Sequence, residues 1–507
     1  MPDKFSRTKR FAYSALTTAL YQVALFLAGF ITPKVMLVYY SSEINGLVTS
    51  ITQFITYFNL VEAGLSGAAV YALYKPLAEK NFQEISAVVA SAKKFYFQAG
   101  YVFLALIATL AIAYPLFLES QTLSSLDIAL LALVLGVNSV LEFFTLAKYR
   151  ALLSADQKTY IISLASIVHV VLNTVIIYVL ARFNVDVVTL RAVALISIFA
   201  RTFLLMLYVK KRYPLLDYKA APKPNALEKR WDAMYMQVLG AIHSGASIVI
   251  LTVVVRDLLL VSVFSVYNMI ITGLHGIMGI FSSGLSAGFG DVIVRNEKAV
   301  LQKSYQEFEL GYLSLMTVVY AVAMVTIMPF IKIYTEGITD AEYYAPVVGA
   351  LIVVNCFFFN LKSPQSMILI AAGLYKESRV QTTIQGALMV VLGCILGYFY
   401  KIEGVLLACI ISNLYRDVDL LFFIPKRVTQ LPITNTLKRW GWAAVNFIAI
   451  IGLCAVIPAT VAGYLEWALY ACLVTAVATA IVAANAAIFD RQCFLGLARR
   501  VKAMIKK

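Results

Sequence analysis

Ile411-Ser412-Asn413-Leu414-Tyr415-Arg416 continues as Asp417-Val418-Asp419-Leu420-Leu421-Phe422-Phe423-Ile424-Pro425 and ends on Lys426-Arg427: an apolar segment with an arginine near its middle. The same frame occurs 215 residues earlier as Ile196-Ser197-Ile198-Phe199-Ala200-Arg201, with Lys211-Arg212 at equal spacing. If each Lys-Arg pair marks the cytoplasmic edge of a membrane helix, the arginine ten residues before it lies about 15 Å deep, at 1.5 Å per residue. A charge at that depth costs several kcal/mol unless it faces protein, water or a partner, or snorkels part of the way out.

The surrounding chain is built for lipid. Its 507 residues have a mean hydropathy of +0.83, and 61% are hydrophobic against 14% charged, a balance that excludes a soluble globular domain. The net charge of +15 sits mostly in short loops between apolar runs, as the positive-inside rule expects, and does not point to nucleic acid. Cysteines 356, 394, 409, 454, 472 and 493 form no CxxC and have no spaced His partners, so they read as small core hydrophobes. Lys4, Arg7, Lys9 and Arg10 precede an apolar run to Tyr40 that is too long for a signal-peptide core and lacks a small-residue cleavage site; it reads as the first transmembrane helix.

Fourteen apolar runs are long enough to span, at 11–38, 44–74, 95–118, 126–147, 159–181, 186–208, 232–255, 258–292, 311–334, 346–372, 380–400, 403–424, 441–461 and 464–489. An even number puts both termini on one side. That side carries all 42 Lys and Arg except Lys34, Arg182, Arg191, Arg201, Arg256, Lys332, Lys362, Lys401 and Arg416, and is therefore the cytoplasmic one. The loops leave no room for an extramembrane ATPase domain, no Gly-rich phosphate loop occurs, and no large external loop offers the catalytic residues expected of a membrane polymerase or ligase of sugar chains. The reading is a non-enzyme with no catalytic residue, cofactor or metal.

The duplication extends further. Gly64-Leu65-Ser66-Gly67-Ala68 is echoed by Gly284-Leu285-Ser286-Ala287-Gly288, an offset of 220 that runs in order with the offset of 215. Helices 1 to 6 and 7 to 12 thus read as two related halves, while helices 13 and 14 have no counterpart. The expected architecture is an all-α polytopic membrane protein: a six-helix lobe at 1–212, a cytoplasmic linker at 213–230, a second six-helix lobe at 231–427, helices 13 and 14 within 428–490, and a basic tail at 491–507. Sites near the midplane between repeats are the usual consequence.

Gly29-Phe30-Ile31-Thr32-Pro33-Lys34 through Ser42-Glu43-Ile44-Asn45-Gly46-Leu47, then Val61-Glu62-Ala63-Gly64-Leu65 and Leu73-Tyr74-Lys75-Pro76-Leu77-Ala78, carry a family pattern. With Leu152-Leu153-Ser154-Ala155-Asp156-Gln157-Lys158 and Ser265-Val266-Tyr267-Asn268, the chain resembles Wzx-like bacterial polysaccharide flippases of the multidrug/oligosaccharidyl-lipid/polysaccharide (MOP) exporter superfamily. The resemblance implies a V-shaped bundle of two six-helix lobes facing a central cavity and alternating access in the bacterial inner membrane. It also implies a polyprenyl-diphosphate-linked oligosaccharide as cargo for O-antigen or capsule export, with membrane lipids and a polysaccharide polymerase or glycosyltransferase as partners.

Such a cargo needs fixed positive charge for its diphosphate and aromatic or amide groups for its sugars. The phosphate candidates are Lys34, Arg201, Lys362 and Arg416, the arginines being favoured because a planar guanidinium binds phosphate bidentately. The alternative is that Arg416 pairs with Asp419 and that Lys34 and Lys362 snorkel. Tyr267 and Asn268 are the sugar candidates. Glu62 and Glu142 are candidates for carrying a proton, with Asp291 completing the acidic set; Glu62, three residues from Asn59, can equally crosslink helices. His243 and His275, and less so His169, are candidates for a proton relay or for ordinary hydrogen-bonded packing. The tail from Phe494 to Lys507 reads as an interfacial helix on an anionic leaflet. Two further functions compete: a cation-coupled drug or metabolite antiporter of the same architecture, which would want a net negative pocket, and a non-transporting membrane scaffold.

Overall fold

The computed structural model describes residues 7–62, 65–118, 120–217, 220–222, 240–241, 245–283, 286–295, 297–454 and 461–505, and no strand occurs among them. Helix is what an apolar chain must adopt where no water can satisfy the peptide groups. Ten helices among the described residues are long and apolar enough to cross a membrane. The chain is a multi-pass membrane protein, and each of the fourteen expected spans contains helix among its described residues, the span 232–255 only at 240–241 and 245–255.

Two compact units divide the chain, Met1–Ser262 and Val263–Lys507. The first contains α1 (Arg7–Tyr39), α2 (Ser42–Phe58), α3 (Leu65–Ala78), α4 (Phe82–Phe117), α5 (Ser125–Leu141), α6 (Ala147–Ala155), α7 (Thr159–Arg182), α8 (Val187–Ala194), α9 (Ile196–Arg212) and α10 (Gly245–Val255). α11 (Leu258–Ser283) begins in this unit and continues into the second. Then follow α12 (Ser286–Val294), α13 (Lys298–Tyr334), α14 (Pro346–Leu361), α15 (Ser363–Ala371), α16 (Tyr375–Ile424), α17 (Ile433–Cys454), α18 (Tyr464–Phe489) and α19 (Arg491–Ile505).

In the N-terminal unit α1 lies on α7, α4 on α5, and α3 on α4 and α6. Leu47, Ile51, Leu73, Phe103, Ile107, Leu131, Leu146, Leu153 and Ile198 fill the core, while Ile112, Leu116, Val171, Phe199 and Phe203 face outward, as a lipid-embedded surface requires. Because lipid tails are as apolar as leucine, close packing rather than the hydrophobic effect holds such helices together. A Cβ on Gly136 would sit 2.5 Å from Ile107, and one on Gly46 would sit 1.9 Å from the Leu258 carbonyl oxygen. Beside Gly46, Asn45 donates to Ser262 at 2.8 Å, and Ser50 joins Thr252 at 2.7 Å and Tyr114 at 2.9 Å.

Three features of these spans matter. The run 44–74 is not one helix: α2 tightens into a 3-10 turn at Asn59–Glu62 before α3 begins. The run 126–147 extends to Ala155 through a π-turn at Glu142–Leu146. Spans 380–400 and 403–424, both within α16, are broken at Lys401, which has φ 50° and ψ −126°. Ser412 donates to the Gln385 carbonyl at 2.8 Å, whereas 27 residues of straight helix would separate them by about 40 Å. The two spans therefore form a hairpin, and a Cβ on Gly404 would lie 2.0 Å from the Leu396 carbonyl oxygen.

In the C-terminal unit α13 packs against α14, α17, α18 and α19. Arg439 of α17 ties three of these together, donating to Glu309 of α13 at 2.7 Å and to Asp490, at the start of α19, at 2.8 Å. Tyr305, Thr436 and Gln365 also donate to Glu309, at 2.9, 3.0 and 3.5 Å. The two spans without a counterpart in the first half are thus bound to the second. The six cysteines are free thiols; Cys356, Cys409 and Cys454 are buried as expected of core hydrophobes, whereas Cys472 is exposed.

Candidate functional site

Glu142 opens the π-turn and accepts from two guanidinium groups, from Arg150 at 2.9 Å and from Arg201 at 2.7 Å. Arg150 also faces Glu62, at the end of the 3-10 turn, at 3.6 Å. In a regular helix residues eight apart are rotated by about 80°. The π-turn absorbs roughly one residue of that rotation and returns Glu142 and Arg150 to one face, the usual way such a turn re-aims side chains at a site. Thr145, inside the π-turn, contacts Thr202 at 3.1 Å and so fixes α9 beside it.

Burial within the cluster is uneven. The Arg201 side chain keeps 9% of its surface, but Glu62, Glu142 and Arg150 keep 21%, 28% and 27%. Two buried atoms, Arg201 Nε and Glu62 Oε1, have no hydrogen-bond partner among the described residues. Tyr21 of α1, Tyr96 of α4 and His169 of α7 complete the electrostatic surroundings. Two carboxylates and two guanidinium groups balance, so this is a neutral cluster with unused hydrogen-bonding capacity.

The C-terminal unit holds a second cluster. Lys362 ends α14 at the elbow with α15 and donates to Asn413 at 3.0 Å and to the Phe359 carbonyl at 3.1 Å, with its ammonium 4.9 Å from the Phe359 ring. It does not snorkel: its side chain is 9% exposed. Asp417 lies 3.8 Å away, fully buried, and neither carboxylate oxygen has a hydrogen-bond partner. Asn413 also binds Asn355 at 2.9 Å and Gln385 at 3.3 Å. Arg416, one residue before Asp417, points elsewhere and pairs with Asp419 and Ser378, the pairing foreseen as its structural alternative.

The sequence candidates fall as follows. Arg201, Glu142 and Glu62 meet in the first cluster; Lys362 and Arg416 flank Asp417 in the second. His275 stacks on Phe359, ring centroids 4.8 Å apart, which brings it to the edge of the second cluster. Lys34 is half-buried in α1 beside Pro33. Tyr267 is fully buried, its hydroxyl donating to the Tyr343 carbonyl at 2.8 Å and accepting from the Ala345 amide at 3.2 Å. Asn268 beside it is half-buried. Asp291 makes an exposed pair with Arg295 at 3.0 Å. His243 lies outside the described residues, as do Gly64, Gly284 and Leu285 of the repeated string.

Sequence reasoning missed Arg150, because a span ending at 147 assigns it to a loop. The missed signal was its spacing of eight from Glu142. It also passed over Asp417 in favour of its neighbours Arg416 and Asp419.

No family model matches the sequence, and no curated protein does. Solved structures do. A structure described as "Lipid II flippase MurJ, inward closed conformation" has 17% identity and a TM-score of 0.69, over 93% of this chain and 99% of that one. An inward-facing multidrug resistance MATE family transporter of the MOP superfamily has 14% identity and a TM-score of 0.65, over 85% and 96%. A MATE structure in the bent conformation has 14% identity and a TM-score of 0.54, over 89% and 97%. At such identities the likeness is one of architecture, and the chain has the fold of the MOP-superfamily transporters.

Proposed function

We propose that the chain is a flippase that carries a polyprenyl-diphosphate-linked oligosaccharide from the cytoplasmic to the outer leaflet of the bacterial inner membrane by alternating access, for surface polysaccharide biosynthesis. The observation that carries this reading is the pair of guanidinium groups, Arg150 and Arg201, brought together inside the membrane-spanning part of one unit. Two planar forks match the two charged phosphates of a diphosphate, and no covalent step is required. The fold likeness to a lipid II flippase over nearly the whole chain supports the same class of cargo. Moving two negative charges outward is assisted by an inside-negative potential, about 4.6 kcal/mol at 100 mV. The test follows labelled lipid-linked oligosaccharide in inverted vesicles. Removing the protein, or replacing both Arg150 and Arg201 by Gln, strands the label on the cytoplasmic leaflet; unchanged translocation without the protein removes the assignment and leaves a scaffold, and unchanged translocation in the double variant removes the two guanidinium groups as its basis.

Asp417 favours a second reading, a cation-coupled drug or metabolite antiporter. A fully buried carboxylate that, among the described residues, has no hydrogen bond and one cation, Lys362 at 3.8 Å, is a place where a proton or a cation can exchange. The likeness to MATE transporters supports it. Proteoliposomes that expel a cationic dye down an imposed proton gradient, and lose this with Asp417→Asn, would transfer the assignment.

A further inference from the structure

The first cluster has a property that its balance of charge does not require: the acids and the bases stand on different kinds of backbone. Glu62 closes a 3-10 turn and Glu142 opens a π-turn, whereas Arg150 and Arg201 stand on the regular helices α6 and α9. Irregular turns re-register at lower cost than regular helix, so the carboxylates are the movable partners and the guanidinium groups the fixed ones. The contacts are uneven as well. Glu62 meets Arg150 only at 3.6 Å with Oε1 unbonded, and Arg201, nine-tenths buried, keeps Nε–H without an acceptor.

We infer that this cluster is an ion-exchange site, in which an incoming diphosphate displaces Glu62 and Glu142 from Arg150 and Arg201 and each released carboxylate takes up a proton. The inference rests on the proposed function and specifies its chemistry. Before exchange the cluster holds two guanidinium and two carboxylate charges. Afterwards the guanidinium charges face two phosphate charges, and a carboxylate left without a cation in a low-dielectric site is neutralised rather than remaining a bare ion. No bond breaks except those to the transferred protons, which the exchange requires water to deliver to the partly exposed carboxylates. The site is neutral when empty and neutral when loaded, so where both protons travel with the diphosphate the cycle moves no net charge and forgoes the help of the membrane potential. Three other titratable groups face it, Tyr96, Tyr21 and His169, and only His169 titrates near neutrality when unperturbed.

The consequence is a linkage: the diphosphate binds more tightly as pH falls, up to tenfold per pH unit for each proton taken up. The test uses the full-length protein in nanodiscs and UDP-N-acetylglucosamine, a soluble disubstituted diphosphate whose two charges are constant across the neutral range. Calorimetry in buffers of different ionisation enthalpy counts the protons. The wild type takes up protons on binding. The double variant Glu62→Gln/Glu142→Gln, isosteric and still able to hydrogen-bond the arginines, binds about tenfold more tightly at the alkaline end, with a flat pH profile and no proton uptake. His169→Gln keeps the uptake. Wild-type binding without proton uptake, or uptake that disappears in His169→Gln but persists in the double Glu variant, overturns the exchange while leaving the proposed function in place. Translocation that survives Arg150→Gln/Arg201→Gln overturns the exchange, and translocation that persists without the protein overturns both.

Discussion

Lys362 and Asp417 show how differently the two members of a buried pair matter. Asp417 is fully buried, and among the described residues Lys362 is the one cation paired with it, so Lys362→Met leaves a carboxylate without compensation. A loss of about 3–5 kcal/mol is expected, seen as a lowered Tm of the detergent-solubilised protein. Asp417→Asn loses less, because Asn413 and the Phe359 carbonyl still accept from the ammonium. Lys362→Met/Asp417→Asn recovers most of the loss; a double variant no better than Lys362→Met alone would show that the pairing is not what matters. Tyr267 illustrates what residue type alone conceals. Its hydroxyl is held by the backbone of residues 343 and 345, so Tyr267→Phe is expected to cost about 1–3 kcal/mol in unfolding experiments through the buried groups it leaves unmatched. A tyrosine beside an asparagine suggests a sugar platform; only the folded loop reveals the carbonyl it already serves.

Among the elements, the α16 hairpin turns on two positions. Lys401 adopts a positive φ that glycine favours, and Gly404 allows the backbone of residues 396 and 397 to approach within contact. Gly404→Val is expected to push the two spans apart at the cost of about 1–3 kcal/mol, and to weaken the Ser412 to Gln385 bond across them, measurable as faster amide exchange at the turn. At the start of α8 the Thr189 amide and hydroxyl hold the Asp186 carboxyl below its ordinary range. A depressed carboxylate contributes stability above its ordinary pKa and loses it as pH falls through the folded value. Asp186→Ala is therefore expected to lower Tm at neutral pH and to converge with the wild type in acid. The π-turn at Glu142 and the 3-10 turn at Glu62 were not legible in the sequence, because apolar content predicts that a span exists but not where its hydrogen-bond register slips.

At the scale of the molecule, Arg439 decides how the last spans are attached. It joins α13, α17 and the start of α19 through Glu309 and Asp490, with Cys493 3.5 Å from one guanidinium nitrogen. Arg439→Gln is expected to loosen α19 before anything else, reported by faster maleimide labelling of Cys493 at little change in the rest of the fold. Labelling as slow as in the wild type would mean that the close packing of Gly496 on Glu307 and of Gly311 on Leu497 holds the helix unaided. Helices 13 and 14 looked like an appendix because they lack a repeat; the ion pairs make them part of the second unit.

The sequence by itself determined the solvent, the helical class, the existence of the spans and the repeated arginine frame, because hydropathy and positive charge act locally and survive any rearrangement of the helices. Tertiary structure alone decided which charges are partners. Arg201 finds its carboxylate 59 residues away on another element, whereas Arg416, at the matching place in the repeat, finds one a single turn along its own helix. Coulomb energy in a low-dielectric interior depends on a few ångströms of separation, and those ångströms are set by helix packing and by one slipped turn, neither of which is written in the order of the residues.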